Sequence, residues 1–153
     1  MVLNRQKRVR VRLRGLDEFL HRAAALLRLP PDAATICLVT DSQIAAWNLL
    51  YRNKNRPTDV LSFPVGVDTR NGNGKLFLSR KGVHAGEKRY LGDIAIAPAV
   101  AWRNARAAGR SFDHEMRILT LHGILHLMGY DHETDNGAME RLEMRLRKTL
   151  RIA

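Results

Sequence analysis

His122-Gly123-Ile124-Leu125-His126-Leu127-Met128-Gly129-Tyr130-Asp131-His132 is the stretch best equipped for chemistry. Residues four apart share one face of a helix, with Cβ atoms about 5–6 Å apart, so the His122 and His126 imidazoles can converge on one ion. Gly129 can take the left-handed conformation that ends a helix. His132 can then return from the turn to the same ion. Three neutral imidazoles hold zinc with bonds of about 2.0–2.1 Å and leave one tetrahedral position open, as catalytic zinc sites do. Two histidines at this spacing are commonly a chance surface pair. The third, after a helix-stopping glycine, makes the pattern that of a metal site. His122, His126 and His132 are therefore the expected ligands of one Zn2+ ion. His21, His84 and His114 have no comparable partners and read as surface or packing residues. His114 precedes His122 by two helical turns and a little more, about 80° around the helix. Tyr130 and Asp131 either orient a ligand or merely shape the turn.

The spacing is similar to the metalloprotease pattern H-E-x-x-H-x-x-G-x-x-H. Gly123 stands where the protease has the glutamate that activates water. Proton transfer by such a group contributes roughly 10²–10⁴-fold, so a peptidase fits the metal but not the chemistry. A second segment, Asn48 to Pro64, joins a basic helix end to a strand. Arg52, Lys54 and Arg56 within it can bind phosphates or form an ordinary solvated basic loop, and the segment alone leaves both open.

The elements that must carry these residues follow from periodicity. Arg8-Val9-Arg10-Val11-Arg12-Leu13-Arg14 alternates strictly and predicts a strand with one basic face. Leu16, Phe19, Leu20, Ala23 and Leu27 recur at helical spacing, predicting an amphipathic helix over 16–28 that Pro30 and Pro31 end. Thr35 to Thr40 is a short buried strand. Thr40 and Gln43 have capping-box spacing and open a helix through Ile44, Trp47 and Leu50. Asp59 to Pro64 and Gly92 to Ala97 are further strands. The stretch 65–90 between them carries glycines at 66, 72, 74, 82 and 86 and reads as a functional or mobile loop, with Lys75 to Ser79 a possible strand. Pro98 starts a helix to about Ala108. Ser111 caps the next, which runs to Met128 and stops at Gly129. A last helix spans roughly 136–150, with Met139, Leu142, Leu146 and Leu150 as its buried stripe and Glu143–Arg147 as an i,i+4 pair. The expected fold is α+β: a single domain over 1–153, with a small mixed four-stranded sheet packed against about five helices.

Composition narrows the partners. The chain has 153 residues, 26 Lys and Arg against 15 Asp and Glu, and a net charge of +11. Arginine, suited to forked phosphate contacts, dominates the cations. An acidic partner follows, with nucleic acid first and an anionic membrane second. No run approaches the ~20 apolar residues that span a bilayer, and no signal-peptide core follows the basic start. Cys37 is the sole cysteine, set in Ile36-Cys37-Leu38-Val39, and reads as a buried, inert thiol. The compartment expected is the cytoplasm.

Together, NLLYRNKNRPTDVLSFP at Asn48 to Pro64, LGDIAIAP at Leu91 to Pro98 and HGILHLMGYDH at His122 to His132 closely resemble the YbeY family of bacterial endoribonucleases, or rRNA maturation factors. The motifs occur in the family's order, and the first 47 residues match only in layout. The resemblance implies an α+β fold with a zincin-like metal helix and a zinc-type ion on His122, His126 and His132. It implies metal-dependent cleavage of single-stranded RNA in rRNA processing, notably at the 3′ end of 16S rRNA, and in ribosome quality control. It places Arg52 on a functional, catalytic arginine. It also implies the small ribosomal subunit and the GTPase Era as partners, and no membrane. The rival readings are a non-catalytic ribosome-assembly RNA-binding factor with structural zinc and, further off, a zincin-like metallopeptidase.

Overall fold

The computed structural model describes residues 1–65, 90–131 and 133–152. His84, His132 and the expected strand at Lys75–Ser79 lie outside the described residues. Four strands, β1 (Val2–Asn4), β2 (Ala34–Leu38), β3 (Val60–Pro64) and β4 (Gly92–Ile96), form one sheet in the order β1-β2-β4-β3. β1 and β2 run parallel, as do β2 and β4, whereas β3 is antiparallel to β4. The sheet is therefore mixed, as expected. Five helices pack on it: α1 (Leu13–Leu26), α2 (Asp41–Arg52), α3 (Pro98–Ala108), α4 (Phe112–Leu127) and α5 (Ala138–Leu150).

Alternation along the strands divides the core. Ile36, Leu38, Ile94 and Ile96 face a cluster that takes in Leu16, Phe19 and Leu20 of α1, Leu121, Ile124 and Leu125 of α4 and Met139 of α5. Cys37, Val39, Ala95 and Ala97 face the opposite side, where Ile44 and Trp47 of α2 close over Leu61 and Phe63 of β3. Every residue of β2 and β4 is buried. Covered on both faces, these strands read as continuous apolar runs rather than half-polar alternations.

The expected strand over Arg8–Arg14 does not form. The first strand is Val2–Asn4, residues 8–12 have no regular structure, and α1 already starts at Leu13. The Gln6 side chain explains this. Its Oε1 accepts the Val9 amide at 2.9 Å, and its Nε2 donates to the Val9 carbonyl at 2.8 Å. One buried amide thus supplies the bonds that a neighbouring strand would offer Val9, and the chain turns away from the sheet. The helix boundaries shift by about one turn or less. Thr40 caps α2 through the Gln43 amide at 3.2 Å, and Ser111 caps α4 through the His114 amide at 3.1 Å.

Candidate active site

α4 carries the histidines. It is buried on most sides, from Met116 to Leu127, and lies between the sheet and its neighbouring helices. Its contact with β4 is close at one point. A Cβ built on Gly123 would meet Ile94 Cγ2 at 2.7 Å, so a side chain at this position collides with the sheet. The position at which the protease pattern has its glutamate therefore faces the packed core. An acid there would have to displace Ile94 or α4, which counts against the peptidase reading.

Gly129 ends the helix as expected, at φ +98°. Its amide donates to the His126 carbonyl at 3.0 Å, and the Tyr130 amide donates to Leu125 at 3.1 Å, the paired closure of a left-handed cap. That turn delivers the Tyr130 carbonyl to His126 Nδ1, 3.0 Å away. Tyr130 thus orients the histidine through its main chain. Asp131 instead shapes the turn, its Oδ1 accepting the Glu133 amide at 3.0 Å.

The two histidines meet through their other nitrogens. His122 Nε2 and His126 Nε2 lie 3.0 Å apart, with ring planes at 77°. A carbonyl only accepts, so His126 Nδ1 carries the proton that it donates to Tyr130. His122 Nδ1 lies 3.5 Å from a Glu143 carboxylate oxygen, which favours a proton on that nitrogen as well. In neutral rings both Nε2 lone pairs then point at each other. Such a pair is attractive only with a cation or a proton between them. The separation is less than twice the ~2.0–2.1 Å of a zinc–imidazole bond, so both nitrogens can reach one ion. The donor set fits a metal. Among the described residues no third His, Cys, Asp or Glu joins them, and His132 lies outside those residues.

Glu143 was not singled out by its spacing as a site residue. Spacing marks it only as the i,i+4 partner of Arg147, and that pair is present at 3.3 Å. Burial pushes the Glu143 carboxyl up, but the hydrogen bond and charge from His122, with Arg147 behind, outweigh it and hold the group below its ordinary range. A signal was available: Glu143 falls four residues after Met139 and three before Leu146, within the buried stripe of α5. Leu142 lies beside that stripe, half-buried.

A groove of about 540 Å³ opens over the two histidines. β3 forms one wall and the end of α2 another, with Tyr51, Arg52 and Ser62 among its lining. Ser62 points to the α4 side of the sheet and donates to the Gly123 carbonyl at 3.0 Å, tying β3 to the histidine helix. Arg52 is exposed at the C-terminal end of α2, where the helix dipole favours a cation. The loop after it is pinned by buried Asn48, whose Nδ2 donates to the Arg56 carbonyl at 2.9 Å. Asn53 caps the helix at φ +57°. Of the three basic residues in this segment, Arg52 lines the groove, and Lys54 and Arg56 do not.

Of the remaining histidines, His114 and His21 are described, and they are placed as packing or surface groups. His114 Nε2 meets the Ile152 carbonyl at 2.6 Å, and His21 lies 3.9 Å from Asp17. Cys37 is fully buried.

A family model described as Endoribonuclease YbeY matches residues 2–151. A protein named Endoribonuclease YbeY from Koribacter versatilis is 38% identical over 154 residues, covering 99% of this chain and 86% of that one. Another of that name from Aquifex aeolicus is 35% identical, covering 86% and 77%. Among solved structures, the solution structure of TM1509 from Thermotoga maritima superposes with a TM-score of 0.58 at 25% identity, over 98% of this chain and 89% of that one.

Proposed function

Since the chain belongs to the YbeY endoribonuclease family, we propose that it cuts single-stranded RNA in the groove over His122 and His126. It is a hydrolytic endoribonuclease by that membership. The finer assignments are our reading: one zinc-type ion on His122, His126 and His132, Arg52 as the catalytic arginine, and a zincin-like use of α4. The RNA we assign to it is rRNA, at the 16S 3′ end and in ribosome quality control, within the cytoplasm and in company with the small ribosomal subunit and the GTPase Era. One domain over 1–153 carries the activity. The charge of +11 supports a polyanionic substrate. Among the described residues no helix is long and apolar enough to cross a membrane.

The observation that carries the reading is the convergence of two Nε2 atoms at 3.0 Å on the floor of a groove that Arg52 also lines. The ion, when bound, supplies positive charge to a phosphate oxygen and acidifies water. The chain's own groups do the rest. The Tyr130 carbonyl and Glu143 hold the two rings with their Nε2 atoms toward the groove. Arg52 holds the phosphate and offsets the negative charge that grows on it. Ser62 keeps β3 registered against α4.

The test compares wild type and His126→Ala, purified identically, on single-stranded RNA. His126→Ala should lose its metal by elemental analysis and its cleavage, while melting near the wild-type temperature. Equal cutting by both proteins would mark a contaminating ribonuclease, and normal metal content in the variant would refute the ligand assignment. Wild type that is loaded with metal and binds rRNA without cutting it would instead favour the assembly-factor reading.

A further inference from the structure

α5 borders a second groove of about 650 Å³, lined by Tyr130, Ala138, Arg141, Leu142, Met144 and Arg145. Tyr130 also lines the groove over the histidines, so the two grooves adjoin at that residue. We infer that this second groove holds the RNA strand on one side of the cut. The inference rests on the endoribonuclease reading and adds where the substrate runs.

Three features support it. Arg141 and Arg145 stand one turn apart on α5, an i,i+4 pair with Cβ atoms about 5–6 Å apart. Lys148 continues the same face. Both arginines are exposed, and among the described residues no carboxylate lines the groove and neither arginine enters an ion pair. Arg141 is held in place, its Nη1 donating to the Asn136 carbonyl at 3.2 Å. Beside these cations the floor is apolar. Met144 is 55% exposed, and Leu142 and Tyr130 are half-buried. A row of cations beside an apolar floor with an aromatic ring suits phosphates on one side and base faces on the other. An acidic protein would match the charge as well. Adjacency, at Tyr130, to the groove assigned to the scissile phosphate favours the substrate strand, because an RNA cut internally must leave that groove on both sides.

The experiment measures the Kd of fluorescein-labelled RNA by anisotropy at several salt concentrations, with the RNA checked intact by gel afterwards. The probes are a short oligoribonucleotide that just crosses the histidine groove and the same RNA extended on its 5′ or its 3′ side. Wild type should gain about tenfold in affinity from extension on one side, the size of one stacked base. Arg141→Ala/Arg145→Ala should lose that gain. Its slope of log K against log salt should flatten by about 1.4, two phosphates at about 0.7 each. Should the double variant melt low, Arg145→Ala alone decides, with about half that change in slope. A gain that persists in the variants overturns the inference and leaves the groove to a protein partner. No gain from either extension in wild type overturns it too. Wild type that gains from extension yet never cuts, loaded with metal, fails the endoribonuclease reading and upholds the groove.

Discussion

The Nε2 atoms of His122 and His126, 3.0 Å apart, stay there because each ring is held from behind, one by a carbonyl and one by a carboxylate. The proposed ion would sit between them, and Arg52 brings a positive charge to the groove above. Arg52 has no part in that pair, so Arg52→Glu should leave bound metal unchanged and lower kcat/KM on RNA about 10²-fold. Unchanged turnover would return Arg52 to a solvated helix end. Cys37 makes a contrasting case. Burial first, then the charge of Asp93, push its thiol up from 9.0 to about 12, with Arg5 pulling the other way. The folded chain keeps this proton where the unfolded chain loses it. The stability it lends is therefore complete below pH 9 and drains away as pH rises toward 12. Denaturant titrations above pH 9 should show that decline, and native protein should react with Ellman's reagent only as fast as it unfolds. Rapid labelling of the native state would mean the thiol is reachable. His122 and His126 were legible from spacing. Glu143 was legible only as a member of the buried stripe of α5; its i,i+4 pairing with Arg147 is explanation enough for an acid there, and the packing of α5 on α4 is what turns it toward His122.

At the scale of elements, the contact between α4 and β4 sets the site. Gly123→Ala places a methyl 2.7 Å from Cγ2 of Ile94, a fully buried side chain. Overpacking of this kind costs about 1–3 kcal/mol, or a fall in Tm of roughly 2–4 °C per kcal/mol for a chain of this size. A Tm within one degree of wild type would show that α4 can slide, and with it the histidines. Most elements were legible where local chemistry marks their ends. α3 runs from Pro98 to Ala108 as expected, because a proline can open a helix and Gly109 at φ +68° can close it. The stretch Arg8–Arg14 misled for a definite reason. Its alternation is that of a strand, but a strand needs a partner, and the side chain of Gln6, three residues before Val9, takes the partner's place. β1 escaped notice because three residues are too few to show a period.

For the whole molecule, the charge of +11 acquires locations. Arg52 lines the groove that opens over the histidines, Arg141, Arg145 and Lys148 follow α5, and the irregular Arg8–Arg12 segment adds exposed cations ahead of α1. RNA affinity should therefore fall steeply with salt, by about 0.7 in log K per decade of salt for every phosphate neutralised. A flat dependence in a filter-binding series would assign the charge to another task. Strand order carries a different consequence. β4 is the last described strand to be synthesised, yet it lies between β2 and β3 and pairs with both. Until residue 96 has left the ribosome, β3 has no described neighbour, and β1 and β2 form at most a short parallel ribbon. The sheet is thus assembled from its interior last, through pairings that span about sixty residues between β2 and β4. Contacts this distant along the chain slow folding, because the loop entropy is spent before they form. The histidine helix follows only sixteen residues behind β4. Sheet closure and site assembly are then nearly one event in the life of the nascent chain, so a polypeptide released early would have neither.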